Sequence, residues 1–405
     1  MDHSLTKPAD SYSPLYFLAS VGAGGVTVSF FMFLMFWIPH PGQGVPVFED
    51  LVRAFGSGSL WMQAAVVVAL IGIAVFATLN IKSLLWNLKS LKTFKRTDAY
   101  ENLCKTNAEA TLLAMPLALA MTVNVLFIVG LVFVPGLWSV VEFLFPLALI
   151  AFSLIGALAL RMLGAFLGRV LSQGGVFDVT AHNSFAQLLP AFSLAMIAVG
   201  FSAPAAMSGT TATVAVALVL STLFGVAAIL YSAIAAVTAF TSMLQHGTAR
   251  ESGPTLMIIV PLVTVLGIMF LRQDHGLHET FAVQAQAGEM MIFLARLLSI
   301  QVVFLLLGAV VMRRQGYFSD FVLGSKTSPG SYALVCPAVA LSVMLQFFVN
   351  TGLVGAGAIE KFGVAYWSVT AVALIAQVVA VALVFRLNRQ HFAPRPVVSD
   401  AIPAE

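Results

Sequence analysis

Ten apolar runs, each of roughly the 20 residues that a helix needs to cross a bilayer, alternate along this chain with short polar connections. They lie at about 15–38, 60–88, 108–133, 137–160, 182–206, 211–243, 254–272, 287–312, 331–351 and 362–387. A soluble fold could not hide so much apolar surface: 60% of the 405 residues are hydrophobic, 9% are charged, and the mean hydropathy is +0.98. The chain therefore reads as an all-α integral membrane protein of about ten transmembrane helices, with the lipid bilayer as its first partner. No connection is long or polar enough for a soluble domain. Residues 1–14 are expected to be an N-terminal tail, 15–387 a single membrane domain and 388–405 a C-terminal tail. The first run exceeds the apolar core of a secretory signal and follows few positive charges, so it is expected to be a membrane helix and not a leader.

Placement of the positive residues sets the expected orientation. With the N-terminus inside, 16 of the 20 Lys and Arg fall on the inner side. Arg53, Arg272 and Lys361 fall outside, and Arg296 lies within a helix. That asymmetry predicts both termini in the cytoplasm and a bacterial-type inner membrane. The segment from Lys82 to Lys95 reads as an amphipathic extension along the inner headgroups.

Enzyme signatures are missing from the sequence. It holds no phosphate loop, no dinucleotide fingerprint and no catalytic triad, and nothing in it points to nucleic acid. His182 and His246 fall near the inner surface without the further ligands a metal site needs. His3, His40, His275, His278 and His391 fall in loops or tails, so no pair is placed to hold a transmembrane haem. No metal or cofactor is implied. Glu289 and Arg296 lie two turns apart on one face of the eighth helix, where Arg296 is expected to extend its stem toward the surface. Glu142, near the start of the fourth helix, has no assignable partner. The two cysteines, Cys104 and Cys336, fall in a polar connection and in a membrane helix, which excludes a disulfide framework.

A repeat emerges once the helices are numbered. The third, fifth, seventh and ninth each carry one proline about two turns from the inner end: Pro116, Pro190, Pro261 and Pro337. Among the even helices only the fourth has an interior proline, Pro146. Proline removes a backbone N–H and crowds the preceding turn, so a kink is expected at each site. The first helix carries Gly22, Gly24 and Gly25 instead, where absent side chains let backbones approach or leave a path open. The expectation is five helical hairpins, with kinked odd helices inside around a central pore and even helices outside.

The ninth helix concentrates these features. Pro337 follows Cys336 directly, which places a thiol at the expected bend. On a helical wheel Cys336, Ala340, Val343, Phe347 and Asn350 form one stripe of small, aromatic and polar residues, the candidate pore lining or gate. A buried structural cysteine beside an ordinary membrane proline is the competing reading.

The segment Gln173-Gly174-Gly175-Val176-Phe177, continuing through His182, Ser184, Phe185 and Leu189-Pro190-Ala191, resembles the corresponding stretch of bacterial tellurite-resistance membrane proteins. Those belong to the tellurite-resistance/dicarboxylate transporter family, which includes the plant slow anion channels. Tyr16-Phe17 and Leu294-Ala295-Arg296-Leu297 are similar as well. The resemblance implies a ten-helix bundle of five hairpins around an anion-conducting pore, assembled as a homotrimer and passing small inorganic anions. In those channels a phenylalanine on the ninth helix plugs the pore. Alignment through Tyr332-Ala333 puts Cys336 at or beside that position, so either another residue, Phe347 or one on a neighbouring helix, closes the path, or the protein is not simply a gated channel. The Cys-Pro pair also resembles the TsoY-type branch, some of whose members carry selenocysteine.

Two functional readings follow. The first is a passive channel or transporter for small anions; the scarcity of intramembrane acids and bases argues against a proton-coupled pump. The alternative is a membrane redox protein that uses Cys336 on a chalcogen oxyanion or a thiol partner, against which the lack of a resolving cysteine counts.

Overall fold

In a computed structural model the protein is described at residues 9–173, 178, 183–281 and 287–392. Gly174 to Phe177 and His182, which carry part of the family resemblance, lie outside the described residues, as do residues 1–8 and 393–405. No strand occurs among the described residues. Ten helical spans are long and apolar enough to cross a membrane: Pro14–Trp37, Leu60–Phe94, Asn107–Phe133, Leu137–Gln173, Phe185–Met207, Thr211–His246, Arg250–Phe281, Gly288–Arg314, Pro329–Val354 and Val364–Phe392. The tenth continues to Phe392, so residues 388–392 are helical. At the other end Tyr12 is already buried.

Burial divides the spans into two classes. In the odd-numbered spans 61–94% of the most apolar stretch is buried, against 11–39% in the even ones. The odd spans are therefore the interior and the even spans present their apolar side chains outward, the arrangement expected of helices meeting lipid. Contacts close the inner set into a ring: the first span packs on the third, the third on the fifth, the fifth on the seventh, the seventh on the ninth, and the ninth back on the first. Each even span lies in the groove between the odd span before it and the odd span after it, the tenth between the ninth and the first. Tyr16 Oη and His391 Nδ1 lie 3.1 Å apart, so both described ends meet on one face, called here the N-terminal face.

Every inner span begins the same way. A 3-10 turn (Pro14–Tyr16, Asn107–Leu113, Phe185–Leu188, Arg250–Met257, Pro329–Leu334) precedes the α-helical part. Ser13, Thr106, Ser184 and Ser328 cap four of these turns, each side chain accepting a backbone N–H at 3.2–3.3 Å. Pro116, Pro190, Pro261 and Pro337 then fall within the first three residues of the α segments that start at Ala114, Leu189, Ile259 and Val335. The expected interior kinks are thus changes of helix type that precede each proline, where the fixed proline φ suits the first α turn. In the ninth span this change falls at Leu334–Val335, before Cys336 and not after it.

Hydrogen bonds tie inner to outer spans. Gln377 Nε2 donates to Ser29 Oγ at 3.1 Å, Gln301 Nε2 to Thr264 Oγ1 at 2.5 Å, and Gln273 Nε2 to Ser221 Oγ at 2.7 Å. These amides and hydroxyls are buried, so each pair satisfies groups that lipid could not.

Candidate functional site

At the centre of the ring is a cavity of about 570 Å³. All five inner spans line it, through residues that include Gly22 and Gly25 of the first, Asn124 of the third, Met196 of the fifth, Thr264 of the seventh and Cys336 of the ninth. Phe152 of the fourth span and Met290 of the eighth also reach it. The bare backbone of the first span admits the ninth: a Cβ on Gly22 would lie 2.9 Å from Val335 Cγ1, and one on Gly25 3.0 Å from Val339 Cγ1.

The cavity is a vestibule with one closed and one open end. Nearest the N-terminal face its lining stops at Val21, Met121, Phe192, Pro261 and Cys336. One turn further toward that face stand Leu18, Leu117, Leu189, Ile258 and Ala333, all buried and apolar, and none of them borders the cavity. This layer bounds the cavity on that side. Phe347 borders the cavity on the far side of Cys336, its ring edge-on to Phe36 at 5.3 Å. At the opposite face the lining reaches Asp274, His275 and His278, all exposed.

Of the stripe read from the ninth helix, Cys336, Ala340, Val343 and Phe347 border the cavity, and Asn350 does not. Residues Phe348–Val354 form a π-helix, in which Gly355 N donates to Asn350 O at 3.1 Å. The wider turn shifts the register, so Thr351 borders the cavity in place of Asn350. Asn350 Oδ1 accepts from Tyr366 Oη at 3.1 Å, facing the tenth span. Among the repeated prolines only Pro261 reaches the cavity. Gly24 is a packing position: a Cβ there would lie 2.7 Å from Met121 Cγ and 2.9 Å from Asn80 Nδ2. Cys336 is buried and free, and Cys104 is free on the short helix Asp98–Cys104 beyond the membrane spans.

Arg272 is the main site residue the sequence reading placed elsewhere. Hydropathy places it in an outer connection, whereas the seventh span continues to Phe281 and Arg272 borders the cavity near its open end. Its Nη1 donates to the Val199 carbonyl at 3.0 Å. Among the described residues no carboxylate forms an ion pair with it. The signal was available in the spacing: Pro261, Thr264, Val265, Ile268 and Arg272 follow the same helical stripe that was traced on the ninth helix. Arg296, by contrast, is exposed on the eighth span.

Compared with known proteins, the chain matches no family model, and no curated protein matches it.

Proposed function

We propose that this membrane protein is a passive pathway for anions, with the vestibule as its conduction route and the apolar layer beneath Cys336 as its gate. The observation that carries this reading is a cavity bordered by all five inner spans and open at one face. Arg272 supplies a fixed positive charge near the open end, and the wall between Arg272 and Cys336 offers no acid–base relay of the kind that proton coupling uses. The resemblance to the tellurite-resistance/dicarboxylate transporter family points the same way and brings with it a homotrimer of such units, while the placement of Lys and Arg favours an inner-membrane location with cytoplasmic termini. Purified protein reconstituted into liposomes is expected to pass nitrate and chloride in preference to potassium. Equal cation and anion permeability, or no flux above protein-free liposomes from folded protein, overturns the reading.

A further inference from the structure

We propose that Arg272 and the vestibule behind it form a binding site whose preferred occupant is an organic monoanion with an apolar body, a short alkyl or aryl carboxylate. This deepens the anion reading above and rests on the vestibule being the anion's route. The head-group end is set by Arg272. One of its N–H groups is used on the Val199 carbonyl, no ion pair neutralises it among the described residues, and it borders the cavity. A guanidinium presents its remaining donors as a planar fork, the geometry that matches the two oxygens of a carboxylate.

The body of the ligand is set by the wall. Between Arg272 and Cys336 the lining includes Phe192, Met196, Ile268, Val343 and Phe347, relieved mainly by Asn124 and Thr264. A bare inorganic ion leaving Arg272 for this wall loses hydration and gains few donors in exchange. An anion that brings its own alkyl or aryl group buries that group against Phe and Met. A volume of about 570 Å³ lies within the range of roughly 300–1,000 Å³ typical of pockets for small organic ligands. With Arg272 as the one Lys or Arg in the lining and the Asp274 carboxylate on the same cavity opposing further negative charge, a monoanion is favoured over a dianion.

The test is equilibrium binding by calorimetry to the full chain in lipid nanodiscs, using acetate, butyrate, hexanoate, benzoate, succinate, hexan-1-ol, hexylammonium and nitrate. From acetate to hexanoate the affinity is expected to rise about fourfold per methylene. Hexan-1-ol, hexylammonium, succinate and nitrate are each expected to bind at least about tenfold more weakly than hexanoate. Arg272→Gln should lower hexanoate affinity by at least about tenfold while leaving hexan-1-ol unchanged, and Arg272→Lys, which keeps the charge but not the fork, should recover only part of the loss. A flat chain-length series, or hexylammonium or nitrate binding as tightly as hexanoate, overturns the proposal and requires no variant to fold. So does an Arg272→Gln protein of unchanged melting temperature that binds hexanoate as well as the parent. Hexanoate binding without nitrate flux in liposomes removes the conduction reading and keeps this site; flux without chain-length dependence does the reverse.

Discussion

Asn80 and Ser20 bond each other from both ends, Asn80 Nδ2 donating to the Ser20 carbonyl at 2.8 Å and Ser20 Oγ to the Asn80 carbonyl at 3.0 Å. Both residues are buried, and together they lock the first span to the second beside the packing glycine Gly24. Replacing Asn80 by Leu removes the bonds that Asn80 Nδ2 donates and sets an apolar side chain against the first span, while the Ser20 hydroxyl keeps the backbone carbonyl at position 80. The expected loss is about 1–2 kcal/mol, read as a lower midpoint in detergent unfolding, with the outer spans still helical by circular dichroism. An unchanged midpoint would show that the pair contributes nothing net.

Cys336 stands at the closed end of the vestibule, so its volume and not its sulfur should govern flux. Cys336→Ser is expected to conduct within about twofold of the parent and Cys336→Phe to lose at least about tenfold, because a phenyl ring fills the space above the apolar layer. Loss of flux in Cys336→Ser would instead point to sulfur chemistry. In a Cys104→Ser background, a small anionic thiol reagent should modify Cys336 when added at the face bearing Asp274 and His278, and not from the N-terminal face.

Gly276 lets the fifth and seventh spans touch at the mouth: a Cβ there would run into the Ala205 carbonyl oxygen and lie 2.9 Å from its carbon. Backbone cannot rotate away as a side chain can. Gly276→Ala is therefore expected to destabilise by about 1–3 kcal/mol. Gly168, on the exposed face of the fourth span with open space around it, should gain up to about 1 kcal/mol on the same substitution. Equal effects at the two sites would contradict the close approach.

In the connection between the eighth and ninth spans, the carboxyl of Asp320 is held below the usual carboxylate range by the Lys326 ammonium and by the Arg250 guanidinium at the start of the seventh span, each 2.7 Å from its Oδ2. A depressed pKa adds stability above the unfolded value of about 3.9 and loses it as the pH falls through the folded value. Asp320→Asn should therefore speed hydrogen exchange in the connection 315–328 at neutral pH. The difference from the parent should persist through about pH 5 and vanish in stronger acid. A difference that vanishes at neutral pH in moderate salt would show the ion pairs to be screened and idle.

The number of spans and their division into inner and outer sets were legible, because each run is long and uniform and because the proline repeat marks alternate helices. The repeat's meaning was less accessible. Prolines that read as interior breaks sit just inside the α segments, since a 3-10 turn that hydropathy does not register, headed by Thr106, Ser184 and Ser328 in three of the four spans, precedes each of them. The seventh span was cut short at Arg272 because polar residues follow. Gln273 is in fact consumed by Ser221 and Thr222 of the sixth span, and Gly276 packs on the fifth, so the helix carries its polar side chains inside the protein. Asn350 was misplaced because a wheel assumes one helical period, and the π-helix beginning at Phe348 breaks it.

Five inner spans all start at the N-terminal face, so they run parallel and their peptide dipoles add. Each helix places about half a positive charge at its start and about half a negative charge at its end. The open mouth of the vestibule lies among the negative ends, a field that by itself repels an anion, and Arg272 is the residue there that offsets it. Beyond the apolar layer the sign reverses, and the five helix starts, four of them capped, would attract an anion there. The inner ring, nearer the cavity than the five outer spans that run the other way, is therefore electrically asymmetric along its axis: loss of the Arg272 charge should turn the mouth toward cations, and anion current should be larger in one direction than in the other.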